Sequence, residues 1–178
     1  MGSTTNQSMF EALFDRRLKP GGAFADELRA AGYDSAHAVP VYPTQVWVRC
    51  LEIARAHRWP THSIPDAYRE IGREFTEGFL ETLPGKLVAA ALKFMSPASF
   101  VRRLAGYFRL GRGDEKLVME ITRDVAGAID ATVHNPSTVP GDFVAGMIDA
   151  AFRRMNVKWT VSVDQRSATD YLLHVRWE

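Results

Sequence analysis

The sequence predicts an α+β domain in which an N-terminal block of four to five helices packs on a four-stranded antiparallel sheet. Apolar residues recur at helical spacing up to about Gly113 and alternate with polar residues after it. The alternating part holds one amphipathic helix between two pairs of strands, in the order strand-strand-helix-strand-strand. Each predicted strand has one apolar face, so we expect the helices to cover one side of the sheet.

The composition is that of a single domain with one core, residues 1–178. We expect an N-terminal strap at 1–22, the helical block at 23–113 and the sheet with its helix at 114–178. A net charge of +1 gives no general attraction to nucleic acid or to an anionic membrane, and no apolar run is long enough to span a membrane. A single cysteine and a polar N-terminus without a signal-peptide pattern favour a cytoplasmic location.

Breaker residues and helical spacing define the first elements. An apolar cluster at residues 9–14 is ended by Pro20 and the glycines that follow it. A short helix is expected over residues 23–31 because a glycine follows it directly. The next helix carries an apolar stripe over residues 46–54, and Pro60 blocks its extension.

A longer helix is expected to begin at Ser63. Asp66 follows three residues later, and the pair resembles a capping box. The helix is ended by the Pro-Gly pair that starts at Pro84. Gly72 and Gly78 each cost such a helix about 1 kcal/mol relative to alanine. We therefore expect each glycine to permit either a close helix contact or access to a cavity.

Two further helices complete the block. The predicted apolar side of the first carries Leu87, Ala90, Ala91 and Phe94. The second begins with Ser96 as N-cap and Pro97 at the first helical position, and continues to residue 108.

The second half contains four alternating segments and one helix. Pro140 opens that helix and Asn156 closes it. The alternating segments predict strands at residues 117–121, 129–133, 157–163 and 171–177.

No set of residues has the spacing of a catalytic or metal-binding motif. The five histidines lack the one-turn spacing that places two ligands on one helix face. Cys50 lies on an apolar stripe, where cysteine packs as a small hydrophobic residue. We predict no metal, no cofactor and no catalytic residue. An enzyme is the third function considered, and it would need polar groups that converge in a cleft.

Basic side chains are concentrated between Lys86 and Lys116, where only Asp114 and Glu115 are acidic. Exposed arginines could bind phosphate, anionic lipid or an acidic partner, because the guanidinium group offers paired donors to oxyanions. A solvated helix face is the alternative interpretation. The candidate partner-binding residues are Arg102, Arg103, Arg109 and Arg112.

Aromatic side chains lie on most predicted apolar stripes of the helical block. Together with small residues they could enclose an apolar pocket, although simple core packing explains the same pattern. The candidate ligand-lining residues are Trp47, Cys50, Tyr68, Phe75, Phe79, Phe100, Leu104 and Phe108.

Five segments resemble a paralogous family of uncharacterised proteins of the myxobacteria. The likeness extends over nearly the whole chain. The segments are LKPGGAF at 18–24, YPTQVW at 42–47, AYREIGR at 67–73, GFLET at 78–82 and PGDFVAG at 140–146.

The order of elements is also similar to a superfamily that joins haem nitric-oxide/oxygen-binding domains, four-vinyl-reductase-type domains and small subunits of a Golgi transport complex. Its members hold haem, small aromatic molecules or an acyl chain between helices and sheet, or they dimerise. The haem domains resemble one another in an iron-binding histidine before the first strand and a Tyr-x-Ser-x-Arg run after it. Neither stands at the corresponding place in this sequence, so we expect no haem.

We therefore expect a non-enzymatic sensory or ligand-binding module. Its apolar cavity would lie between the helical block and the sheet and would hold a small hydrophobic molecule or an acyl chain. The alternative is a protein–protein interaction or dimerisation scaffold that uses the exposed basic helix.

Overall fold

The computed structural model describes residues 3–111 and 117–178, except for the side chains of Pro84 and of residues 108–111. Within these ranges the molecule has the predicted α+β architecture. The helices are α1 (Gln7–Phe10), α2 (Ala23–Ala30), α3 (Thr44–Arg58), α4 (Ile64–Glu81), α5 (Leu83–Leu92), α6 (Pro97–Gly111) and α7 (Gly141–Met155). The strands are β1 (Thr4–Asn6), β2 (Val41–Pro43), β3 (Val118–Val125), β4 (Ala128–His134), β5 (Trp159–Gln165) and β6 (Asp170–Trp177).

The change of hydrophobic period expected at Gly113 lies outside the described residues, between the end of α6 and the start of β3. The elements on either side follow the predicted order. The sheet has the strand order β3-β4-β6-β5 and every neighbouring pair is antiparallel. Helix α7 connects β4 to β5. The two hairpins are therefore joined at the centre of the sheet by pairing of β4 with β6.

The N-terminal segment begins with β1, which pairs with β2 in a small separate sheet. Helix α1 then continues directly into a π-helix, Glu11–Leu18. Both Phe10 and Phe14 are completely buried on this segment. The expected strap is thus part of the hydrophobic core, and the π-helix was not predicted by the sequence.

Helix α4 begins where the capping pattern predicted. The Ser63 hydroxyl accepts a hydrogen bond from the Asp66 backbone N–H at 3.3 Å and donates one to the Asp66 carboxylate at 2.6 Å. The first of these bonds satisfies one of the backbone N–H groups that a helix start leaves unpaired. The start of the longest helix is therefore fixed by local sequence.

Helices α4 and α7 make the closest contact between the helical block and the sheet layer. A Cβ atom at Gly72 would lie 2.0 Å from the carbonyl oxygen of Phe143, and one at Gly146 would lie 2.0 Å from that of Arg69. At Gly78 a Cβ atom would lie 1.8 Å from the carbonyl oxygen of Ala12. Of the two roles expected for Gly72 and Gly78, the structure shows the close helix contact.

Helix α5 packs on the opposite side from the one predicted. Leu87 is 77% exposed and Phe94, just after the helix, is 93% exposed. Gly85 and Leu92 are buried instead. The prediction was wrong because every residue of α5 except Lys86 is apolar or small, so hydrophobic periodicity cannot indicate which side faces the core.

Among the described residues, no helix combines the length and the apolar character needed to cross a membrane.

Candidate functional site

Four phenylalanines from the N-terminal segment, α4 and α7 surround Trp47 of α3. The Trp47 ring centroid lies 5.1 Å from that of Phe10, 6.3 Å from Phe14, 5.9 Å from Phe75 and 6.3 Å from Phe143. The contacts are edge-to-face, a favourable geometry for aromatic rings. These residues form what we call the Trp47 cluster.

The Trp47 indole carries a buried donor without a partner. The whole residue is 0% exposed, and its Nε1–H forms no hydrogen bond with any described residue. The rings in contact with it belong to phenylalanines, which offer no oxygen or nitrogen acceptor. A buried donor left in this state costs about 1–3 kcal/mol and is uncommon in folded proteins. This donor is the most unusual polar group in the described interior.

Three other predicted lining residues lie near the Trp47 cluster in the fold. Phe79 stacks on Phe75 with 6.4 Å between ring centroids. Cys50 is completely buried on α3, and burial raises its pKa to about 12, so the thiol stays neutral. Burial, with a smaller contribution from the charge of Glu52, also raises the pKa of Tyr68 to about 12. Neither group is ionised near neutral pH.

The remaining predicted lining residues belong to α6 and make other contacts. Phe100 lies 5.7 Å from Tyr107 and 6.1 Å from Phe152 of α7, measured between ring centroids. Leu104 is buried on the same helix. The side chain of Phe108 lies outside the described residues. The structure thus brings Trp47, Phe75 and Phe79 together and places Phe100 and Leu104 in another part of the same hydrophobic core.

Three open grooves on the surface are lined by other side chains. One of about 390 Å³ lies between α3 and the loop that precedes α7. A second of about 230 Å³ lies beside the start of α4 and the β5–β6 hairpin. The third, about 400 Å³, lies at the turn between α5 and α6. None of the seven predicted lining residues whose side chains the structure describes lines these three grooves.

The predicted basic surface is partly neutralised by the chain itself. Arg102 donates two hydrogen bonds to the Asp124 carboxylate, at 2.7 Å and 2.9 Å. Arg103 is exposed and lines the groove at the α5–α6 turn. The side chain of Arg109 and the whole of Arg112 lie outside the described residues.

Sequence analysis missed a buried ionic group at the contact between α4, α7 and β5. Asp149 is 1% exposed and accepts hydrogen bonds from Arg69 Nε, Arg73 Nη2 and Trp159 Nε1, each at 2.7 Å. Burial alone would raise the pKa of Asp149, but these hydrogen bonds outweigh it and hold the pKa below its ordinary value. The arginines are 80 and 76 positions away along the chain, so local spacing gives no signal.

The histidines do not form a metal site. No group of three or more metal-ligating side chains occurs within residues 3–111 and 117–178. Four of the five histidines contact a carboxylate instead. The pairs are His37 with Asp34, His57 with Glu27, His134 with Asp170 and His174 with Asp130.

Solved structures with the same fold are H-NOX proteins, the haem nitric-oxide/oxygen-binding domains. The protein from K. algicida in the unliganded Fe(II) state is 13% identical, with a TM-score of 0.72 over 98% of this chain and 96% of that one. The Fe(II)NO form from S. oneidensis is 14% identical, with a TM-score of 0.73 over 97% and 99% of the two chains. A mutant of the protein from T. tengcongensis is 13% identical, with a TM-score of 0.63 over 98% and 97%.

The TM-scores show a shared fold. A comparison with curated protein sequences gives no significant match. One family model, described as protein of unknown function (DUF2378), matches residues 3–178. This match confirms the resemblance expected from the sequence segments, and the chain therefore belongs to the DUF2378 family and has an H-NOX-like fold.

Proposed function

We propose that this protein is a sensory module that binds a small hydrophobic molecule at the Trp47 cluster, without haem. The observation that carries the proposal is the buried Trp47 Nε1–H, which has no acceptor among the described residues. A ligand with an apolar body and one oxygen acceptor would satisfy this donor and pack against the surrounding rings. A small carbonyl compound or the head of an acyl chain has this chemistry.

The π-helix supports the same location. Glu11–Leu18 contributes Phe14 to the Trp47 cluster, and the α1 residue Phe10 just before it stacks on Tyr33 with 4.8 Å between ring centroids. π-helical turns are rare and are found frequently at functional sites. The N-terminal segment, which provides one side of the Trp47 cluster, therefore has an irregular backbone.

The residues present do not fit histidine-ligated haem. The α6 sequence, Pro97–Gly111, contains no histidine, and no Tyr-x-Ser-x-Arg run occurs anywhere in the chain. The only cysteine, Cys50, carries a neutral thiol beside the Trp47 cluster on α3. The rings that surround Trp47 belong to phenylalanines, which offer no iron ligand. This donor set favours an organic ligand, and no step of ligand binding is assigned to haem.

Native mass spectrometry of protein purified from its own host tests the proposal. We expect an added mass on the order of a few hundred daltons, the range of a small organic ligand. Trp47→Phe keeps an aromatic ring but removes the donor, and we expect it to lose that added mass. Trp177→Phe changes a tryptophan on β6 and serves as the matched control. A wild-type protein without added mass, or a Trp47→Phe variant that retains it, would contradict the proposal.

A further inference from the structure

One side of α5 forms an exposed apolar stripe. Leu83 is 82% exposed, Leu87 is 77% exposed, and Phe94 in the turn after the helix is 93% exposed. Ala90 and Ala91 between them are exposed as well. The spacing of these residues follows the helical repeat, so they lie in one line along the solvent side of α5. We call these five residues the α5 stripe.

The stripe is flanked by positive charge. Lys86 and Lys93 are exposed on the same segment. Arg103 of α6 is exposed and lines one groove together with Ala91 and Phe94. The sequence contains no aspartate or glutamate from Thr82 to Gly113. No carboxylate of this segment therefore neutralises the three cations.

From this arrangement we propose that the α5 stripe binds the surface of an anionic lipid bilayer. A helix that exposes apolar side chains next to cations can lie in the plane of the interface, with its apolar side chains among the acyl chains and its cations at the phosphate groups. The lysines carry long aliphatic stems, so their ammonium groups can reach the headgroups while the stripe is inserted. The protein would thus bind at the membrane surface without crossing the bilayer.

Charge complementarity favours a lipid surface over a second copy of this chain. In a symmetric dimer built on the α5 stripe, the same patch would face itself. Lys86, Lys93 and Arg103 would then approach the same three cations of the other copy, and like charges across an interface are unfavourable. A bilayer rich in phosphatidylglycerol provides opposite charge and an apolar interior at once.

Co-sedimentation with vesicles tests the proposal with the full-length protein. We expect binding to vesicles of equal parts phosphatidylglycerol and phosphatidylcholine at low salt, and no binding to phosphatidylcholine alone. Phe94→Glu should abolish binding, because it places a carboxylate in the stripe. Ile64→Glu is the matched control, since Ile64 is 57% exposed but lies at the start of α4. We expect it to bind like the wild type.

The charge contribution is measured separately. Lys86→Gln should weaken binding about fivefold, the effect of removing one cation near an anionic membrane. Lys19→Gln removes an exposed lysine outside the stripe and should have no effect. A fluorescent label on Phe94→Cys should shift to shorter emission wavelength with anionic vesicles, and a label on Ile64→Cys should not. Cys50 is completely buried and stays unlabelled.

Three results would overturn the proposal. The first is the absence of binding to anionic vesicles at low salt. The second is binding that Phe94→Glu leaves unchanged. The third is a stable dimer in light scattering that Phe94→Glu converts to monomer, which would assign the stripe to a second copy of the chain.

Discussion

Asp149 joins the helical block to the sheet through a buried ionic group. Its carboxylate is inaccessible to water, whereas the side chains of Arg69 and Arg73 remain 27% and 28% exposed. A buried carboxylate is tolerated only when its lone pairs are occupied, and here three side chains donate to it. The ionic group therefore holds α4, α7 and β5 in one arrangement.

Replacing Asp149 with asparagine should lower the free energy of unfolding by about 3 kcal/mol, the lower end for breaking a buried pair, because both arginines still reach water. Chemical denaturation measures this change. Asp124→Asn removes the exposed partner of Arg102 and should have little effect. Equal losses in the two variants would show that burial of Asp149 has no special role.

The stability difference between the wild type and Asp149→Asn should also depend on pH. The pKa of Asp149 is lowered in the folded state, so its contribution to stability is fully present above the unfolded-state value of about 3.9. The contribution is lost as pH falls through the folded-state pKa. The stability difference between wild type and Asp149→Asn should thus be constant from about pH 5 to 7 and shrink below about pH 4. A difference that grows on acidification would contradict this sign.

At the scale of elements, the crossing of α4 and α7 is set by backbone contact. Gly72 and Gly146 lie where each backbone touches the other, and no side chain fits between them. Small residues at such a crossing bring the helices closer than the usual interaxial distance of about 8–10 Å. The glycines cost helix propensity but allow the arginines of α4 to reach Asp149.

Gly72→Ala should therefore be strongly destabilising, by about 3 kcal/mol, because the added methyl group would meet backbone atoms that cannot move independently. Gly106→Ala in α6 is the opposite case, since no heavy atom lies within 4 Å of its expected Cβ position. Alanine should stabilise α6 there by up to about 1 kcal/mol. Thermal or chemical unfolding of both variants measures the contrast. A neutral Gly72→Ala would show that the helices can separate at little cost.

At the scale of the molecule, one hydrophobic core connects all parts of the chain. Leu13 of the N-terminal segment, Trp47 of α3 and Leu173 of β6 belong to a single cluster of buried residues. Such a core favours unfolding as one unit even though the chain is longer than most two-state domains. We therefore propose that residues 1–178 form a single domain that unfolds cooperatively.

We expect a single unfolding transition in two variants that retain different tryptophans. One keeps only Trp47, in the helical block, and the other keeps only Trp177, in the sheet. Their fluorescence midpoints should each coincide with that of far-ultraviolet circular dichroism for the same variant. Separate midpoints for fluorescence and circular dichroism would indicate two independent units.

Local signals in the sequence were sufficient for most of the fold. The Ser63 cap, the helix closed by Asn156 and the two hairpins all lie within a few residues of the features that predicted them. The buried side of α5 could not be predicted, because every residue of that helix except Lys86 is apolar or small. The Asp149 group and the unpaired donor of Trp47 depend on contacts between distant segments. Local spacing contains no information about such contacts.

The crossing of α4 and α7 also limits how the two layers can move. Helices held apart by interlocking side chains resist rotation, because the ridges of one lie in the grooves of the other. At Gly72 and Gly146 no such ridge exists, while Asp149 and its arginines prevent the helices from sliding. The crossing therefore fixes how the helical layer lies on the sheet. A ligand that displaced the rings around Trp47 would act directly on both helices of this crossing, because Phe75 lies on α4 and Phe143 lies on α7.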